Sequence, residues 1–167
     1  EAPAKRRECT ADLSVAASIP DRYVPSPEQR MDLYRRIARI RTSEDADDMT
    51  DELIDRFGDP PRTVNNLISV ALLRGRAADC AISDISQKGM SILFTLDEFD
   101  LEHISQAAGL FPGRVLFSPG DKAVLTLKLK KGEDPLRMAS KLVESYQALI
   151  PPEAAKSPGP EGGGGKD

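Results

Sequence analysis

Few residues in this chain have types suited to catalysis. His103 is the sole histidine, Cys9 and Cys80 are the sole cysteines, and the carboxylates crowd one stretch, where Glu44, Asp45, Asp47, Asp48, Asp51, Glu52 and Asp55 follow one another with no base among them. A histidine acting as general base needs a nucleophile and an orienting acid around it, and no such motif surrounds His103, which sits beside Glu102 on a predicted short helix. It reads as a surface side chain. One histidine and two distant cysteines offer no metal-ligand cluster and no redox spacing, and a Cys9–Cys80 disulfide has no support in the sequence. Free thiols fit a reducing, cytoplasmic setting. The run Gly162 to Gly165 before Lys166 lacks both the spacing and the strand–helix context of a phosphate-binding loop, so ATP binding is not expected. Carboxylates on an exposed face without a cleft are solvated charges and not an acid–base pair. The chain therefore reads as a non-enzyme, with no catalytic, cofactor or metal residues.

The most informative segment is Asp51-Glu52-Leu53-Ile54-Asp55-Arg56-Phe57-Gly58. Leu53, Ile54 and Phe57 have helical spacing and are expected to be buried. Glu52, Asp55 and Arg56 then share the opposite face at i, i+3 and i+4. One reading is an ordinary intrahelical Glu52–Arg56 pair, worth about 0.3–0.5 kcal/mol. The other is a mixed-charge patch on a rigid helix that grips an arginine-rich partner through charge-assisted hydrogen bonds. Arg30, Arg35, Arg36, Arg39 and Arg41 precede the acidic run. That juxtaposition suits either two helices attracting each other across a turn or a surface for a partner. A formal net charge of −4 argues against direct nucleic-acid binding, and Lys128, Lys130 and Lys131 form too small a basic patch, without stacking aromatics, to reverse that.

The elements that must hold this segment follow from period and punctuation. Of the 167 residues, 40% are hydrophobic, 30% charged and only 5% aromatic, so an aliphatic core is expected. No apolar run approaches the ~20 residues of a membrane span. Residues 1–11 read as linker and 12–15 as a short edge strand. Ile19, Tyr23 and Val24 lie on an extended strap fixed by Pro20 and Pro25. Ser26, Pro27 and Gln29 start a helix running to about Arg41, with Met31, Tyr34, Ile37, Ala38 and Arg41 as its stripe and Leu33 and Ile40 widening it. Ser43 is expected to cap a second helix, and Gly58 to end it with a left-handed cap before Pro60 and Pro61. A third helix spans about 61–79. From Ile82 onward the period switches to two. Strands at 82–86 and 90–96, a helix over 97–109 with Leu101, Ile104 and Ala108 inward, strands at 114–117 and 124–129, and a helix from Pro135 give the order ββαββα. Gly120 is placed in a type II turn. The fold class is α+β: N-terminal helices (26–80) packed with a ββαββα antiparallel-sheet unit (81–150) in one domain over 12–150, followed by a flexible tail at 151–167.

Three blocks occur in one order and spacing: Asp21-Arg22-Tyr23-Val24-Pro25, then Arg30-Met31-Asp32-Leu33-Tyr34-Arg35-Arg36-Ile37-Ala38, then Glu52-Leu53-Ile54-Asp55-Arg56-Phe57-Gly58 with Pro61. Together they resemble the C-terminal domain of the transcription-repair coupling factors (Mfd). The resemblance covers about residues 12–80; beyond them only the element order is similar, and the Pro/Gly tail departs from the pattern. It implies that the chain is cut from a longer, ATP-driven DNA translocase that removes stalled RNA polymerase and recruits UvrA in transcription-coupled DNA repair. It further implies a regulatory domain that packs on the UvrB-like N-terminal module of the same protein and masks the UvrA-binding surface, an autoinhibition. An independent protein–protein adaptor, and a hydrolase using surface acids with His103, are the other classes the sequence leaves open.

Overall fold

The computed structural model describes residues 7–151. The first six residues, and all of the expected tail beyond Pro151, lie outside the described residues. The elements run β1 (Thr10–Asp12), α1 (Pro27–Ile37), α2 (Ser43–Phe57), α3 (Arg62–Asp79), β2 (Ile82–Lys88), β3 (Ser91–Leu96), α4 (Leu101–Gly109), β4 (Val115–Ser118), β5 (Ala123–Lys128) and α5 (Pro135–Leu149). The fold is α+β, with the ββαββα order after α3. The sheet differs from the expectation by one strand. It has five strands in the order β1-β2-β3-β5-β4, and β1 pairs in parallel with β2 through Thr10↔Asp84, Ala11↔Ile85 and Asp12↔Ser86. The four remaining strands are antiparallel, as expected. The edge strand thus begins at Thr10, ahead of the expected 12–15, and with buried Cys9 it draws the last residues of the 1–11 stretch into the fold.

Two apolar clusters fill the molecule. One lies between the sheet and α3, α4 and α5, centred on Phe94, Ile85, Ile92, Leu125, Leu127 and Leu142. Strict alternation puts Ile92, Phe94, Leu96, Leu125 and Leu127 on that face. The other lies between the strap and α1, α2 and α3, and includes Ile19, Val24, Leu33, Ile37, Leu53 and Val64. The 18-residue α3 joins them: Val64, Ile68 and Ala71 face the helical cluster, and Leu73, Ala77 and Ala78 face the sheet cluster. Gly75 lets α3 approach the turn after α1, because a Cβ there would sit 3.0 Å from the Arg41 Cα and 3.2 Å from the Ile40 carbonyl oxygen.

Several local expectations change. α1 stops at Ile37, so Ile40 and Arg41 lie beyond it; of the expected stripe, Leu33 and Ile37 are buried on the helix and Ile40 past its end, whereas Tyr34 and Arg41 are half-buried and Met31 and Ala38 are exposed. An apolar residue is compatible with a stripe without being required by it, and here the strap fixes which side faces inward. The cap of α2 is Thr42 and not Ser43: the Thr42 hydroxyl accepts from Asp45 N at 3.0 Å, and the Asp45 carboxylate accepts from Thr42 N at 3.1 Å. Gly58 has φ 85° and ψ −170°, so it ends α2 at positive φ but not in the left-handed helical well. On α4, Ile104 and Ala107 are buried, while Leu101 is exposed and Ala108 only half-buried. Gly120 is not among the described glycines of positive φ, which excludes the type II turn.

Candidate functional site

α2 starts as a helix because of its capping box and its early acids, which face the positive end of the helix dipole. It docks through Ala46, Met49 and Leu53, all buried. Ile54 does not join them. It is 42% exposed, and Phe57 is half-buried, so the expected Leu53–Ile54–Phe57 face narrows to Leu53 and Phe57. Ile54 instead shares the outer surface with Asp51 and Asp55.

The three candidate residues have different surroundings. Glu52 is half-buried and is gripped from both sides. The Arg36 guanidinium on α1 reaches it as a fork, with Nη1 2.6 Å from Oε2 and Nη2 2.5 Å from Oε1. Arg56 adds a third contact, 3.0 Å from Oε2, one turn further along α2. The arginine hydrogen bonds, Arg36 first, hold the Glu52 carboxyl down at about 2 against partial burial, and they raise the Arg36 guanidinium in turn. The charge blocks noted in the sequence are therefore joined, in part, as two helices attracting each other: the basic α1 meets the acidic α2 at Arg36 and Glu52. Asp55 is exposed and makes no side-chain hydrogen bond or ion pair among the described residues. Arg56 is exposed and lies over the Phe57 ring, 4.9 Å from its centroid.

The Phe57 end is anchored to the strap. Tyr23 contacts Phe57 with ring centroids 5.8 Å apart, and its hydroxyl donates to the Gly58 carbonyl at 2.7 Å and approaches the Leu53 carbonyl at 3.3 Å. Arg30 donates to the carbonyls of Val24 and Pro25 at 2.7 and 3.0 Å and lies 3.5 Å from the Asp21 carboxylate. The strap's other end is held where Ile19 N donates to the Tyr34 hydroxyl at 2.8 Å. The Asp-Arg-Tyr-Val-Pro block thus works as a buckle: it fixes the strap on α1 and clamps the C-terminal end of α2. Sequence reasoning missed Arg36 as a partner of Glu52. The signal was the overlap of a basic helix and an acidic helix across a short turn, which does not say which arginine reaches which acid.

Between α1 and α2 lies an open groove of about 330 Å³, with Arg36, Arg39, Asp48, Met49 and Glu52 on its walls. Its charges are mixed, and it has no concentrated nucleophile or base. His103 is half-buried on α4, away from these residues in the chain, and among the described residues no group of three histidine, cysteine or carboxylate side chains could hold a metal. Cys9 and Cys80 are free and buried, with thiols pushed up to about 12 chiefly by desolvation. Lys128, the last residue of β5, and Lys130 and Lys131 beyond it are exposed. No helix of the described residues is long and apolar enough to cross a membrane.

Known proteins resemble this chain in sequence and in fold. A family profile described as the TRCF domain matches residues 13–106. The chain is 30% identical over 115 residues to a transcription-repair-coupling factor of Bacillus subtilis, a stretch covering 69% of this chain and 9% of that protein. It is 28% identical over 142 residues to the one of Staphylococcus haemolyticus, covering 85% of this chain and 11% of that protein. The chain thus spans about a tenth of the length of the curated relatives it matches. A crystal structure of the C-terminal domain of a transcription-repair coupling factor shares the fold, with a TM-score of 0.77 at 18% identity over 86% of this chain and 95% of that one.

Proposed function

Because the chain belongs to the transcription-repair coupling factor family, we propose that it is the regulatory domain of a DNA translocase, and that the outer face of α2 docks on a UvrB-like module of the same protein. Docking there would mask the surface that binds UvrA, so the domain acts as an intramolecular clamp and does no chemistry of its own. The observation that carries this reading is the contrast between Glu52 and Asp55. Glu52 is already neutralised by Arg36 and Arg56, whereas Asp55, one turn on, presents an uncompensated carboxylate beside an ordered Arg56. The patch is rigid at both ends, through the Thr42 cap and the Tyr23 buckle at Gly58, so little conformational entropy is lost on docking. Within this reading Glu52 organises Arg56, and Asp55 takes a basic group of the partner through a charge-assisted hydrogen bond.

Loss of one such contact in a partly desolvated interface costs about 1–3 kcal/mol. Because the partner is tethered, a weak contact can still keep the clamp mostly closed. The test uses the full-length parent protein with Asp55→Ala and Arg56→Ala together, assayed for UvrA binding. The variant is expected to bind UvrA more tightly at unchanged folding. UvrA binding equal to that of the unaltered protein would mean that this face is a solvated helix surface. RNA polymerase and UvrA would be reached only through the rest of the parent protein, and direct contact with nucleic acid is no part of the reading.

A further inference from the structure

The two edges of the sheet are treated differently. At β1, arginine side chains cover the backbone leading into the strand: Arg74 Nε donates to the Cys9 carbonyl and Arg41 donates to the Arg7 carbonyl, both at 2.9 Å. At the opposite edge, β4 (Val-Leu-Phe-Ser) carries no charge, proline or bulge, the usual guards of an exposed strand. The register shows which of its backbone groups are free. Lys128 N donates to the Arg114 carbonyl at 2.8 Å, so that carbonyl and, by alternation, the groups of Leu116 and Ser118 face β5, while Arg114 N donates to the Phe111 carbonyl at 3.1 Å. The N–H and C=O of Val115 and Phe117 point outward, and none of the four has a partner among the described residues. Leu116 projects from the sheet face away from the helices and is 54% exposed. On the helix side Phe117 meets Phe99 edge-on, with centroids 5.1 Å apart, and Phe99 itself is 45% exposed.

We propose that β4 is a self-association edge, which pairs antiparallel with β4 of a second copy about a two-fold axis at Leu116. The strand is its own complement in this register. Val115 faces Phe117 of the second copy and exchanges both backbone bonds with it, the symmetric pair does the same, and all four free groups on each copy are satisfied. Leu116 meets its mate at a non-hydrogen-bonded position, where side chains lie closest. Phe117 and Phe99 extend the apolar contact on the helix side. Arg114 falls opposite Ser118 of the second copy, so no like charges are brought together. An isologous interface of this kind closes after two copies and does not propagate. The strand is only 4 residues long, so the contact is far smaller than that of a permanent dimer and the pair forms reversibly at high concentration.

The test is sedimentation of the chain over a rising concentration series, together with a cross-linking variant. The mean mass is expected to climb from the monomer value toward twice that value, and Leu116→Lys, which leaves the backbone intact, is expected to abolish the rise. Val115→Pro removes an outward N–H only and should also abolish it, provided circular dichroism shows the variant folded. Leu116→Cys should yield a covalent dimer on mild oxidation with diamide, whereas Ser118→Cys should not, because that residue lies well off the axis; Cys9 and Cys80 are buried and do not compete. A constant monomer mass throughout the series, a mass rise that Leu116→Lys leaves intact, or cross-linking that is equal at the two positions would each overturn the proposal.

Discussion

Replacing Glu52 by Ala removes three contacts at once: the two-pronged grip of Arg36 and the single contact from Arg56. The side chain is 33% exposed, so solvent screens these charges, and the fork to Arg36 is worth about 1 kcal/mol at most, the upper end for exposed pairs. The Arg56 pair, four residues along the same helix, adds about 0.3–0.5 kcal/mol. Alanine returns a few tenths through its helix propensity. A net loss of about 1 kcal/mol is expected, or about 2–4 °C in Tm for a domain of this size. The pH dependence gives a second handle. The folded carboxyl is held at about 2, below its ordinary 4.5, so the stabilisation is complete above the unfolded value and fades as pH falls from about 4.5 toward 2. The assay is urea unfolding of the protein, Glu52→Ala, Arg36→Ala and the double variant at neutral pH, repeated in acid. The cycle should give a coupling of about 0.5–1 kcal/mol at neutral pH that shrinks in acid. Asp55→Ala, on the same helix, should change stability by less than about 0.5 kcal/mol. A coupling near zero at neutral pH, or one unchanged in acid, would refute the claim that this ion pair ties α1 to α2.

Gly75→Ala should destabilise by about 1–3 kcal/mol despite alanine's better helix propensity, because its Cβ would press on the Arg41 backbone at 3.0 Å; chemical denaturation measures it, and a stabilised variant would contradict the close approach. Cys9 and Cys80 should react with Ellman's reagent at mildly alkaline pH only as fast as the protein unfolds, since burial holds both thiols near 12; rapid labelling of either in the native protein would contradict their placement.

What could be read from the sequence tracks the range of the forces involved. Ile92, Phe94 and Leu96 alternate, and alternation is a local property that the strand preserves wherever it packs. Asp134-Pro135 begins α5, and the Asp134 side chain accepts from Leu136 N, an interaction closed within three residues. By contrast, β1 pairs with a strand more than seventy positions away, and nothing in Thr10–Asp12 announces a parallel partner. Ile54 and Leu101 have the spacing of core residues yet face solvent, because a stripe wide enough to include them exceeds the surface their helices bury. At the candidate site, the grouping of Glu52 with Arg56 follows from helix geometry. The fork from Arg36 does not, since it depends on how the turn at Ile40 to Thr42 sets one helix against the next.

α3 is a single rod about 27 Å long, from a rise of about 1.5 Å per residue, and its two halves serve different cores. Its residues therefore set a phase as well as a packing surface. Each residue advances the helix by about 100°. One amino acid added between Ala71 and Leu73 would turn Leu73, Ala77 and Ala78 away from the sheet while Val64 and Ile68 stayed in place. The outer face of α2 and the sheet edge at β4 are in this sense geared to one shaft, and the angle between them is fixed by the count of residues in α3.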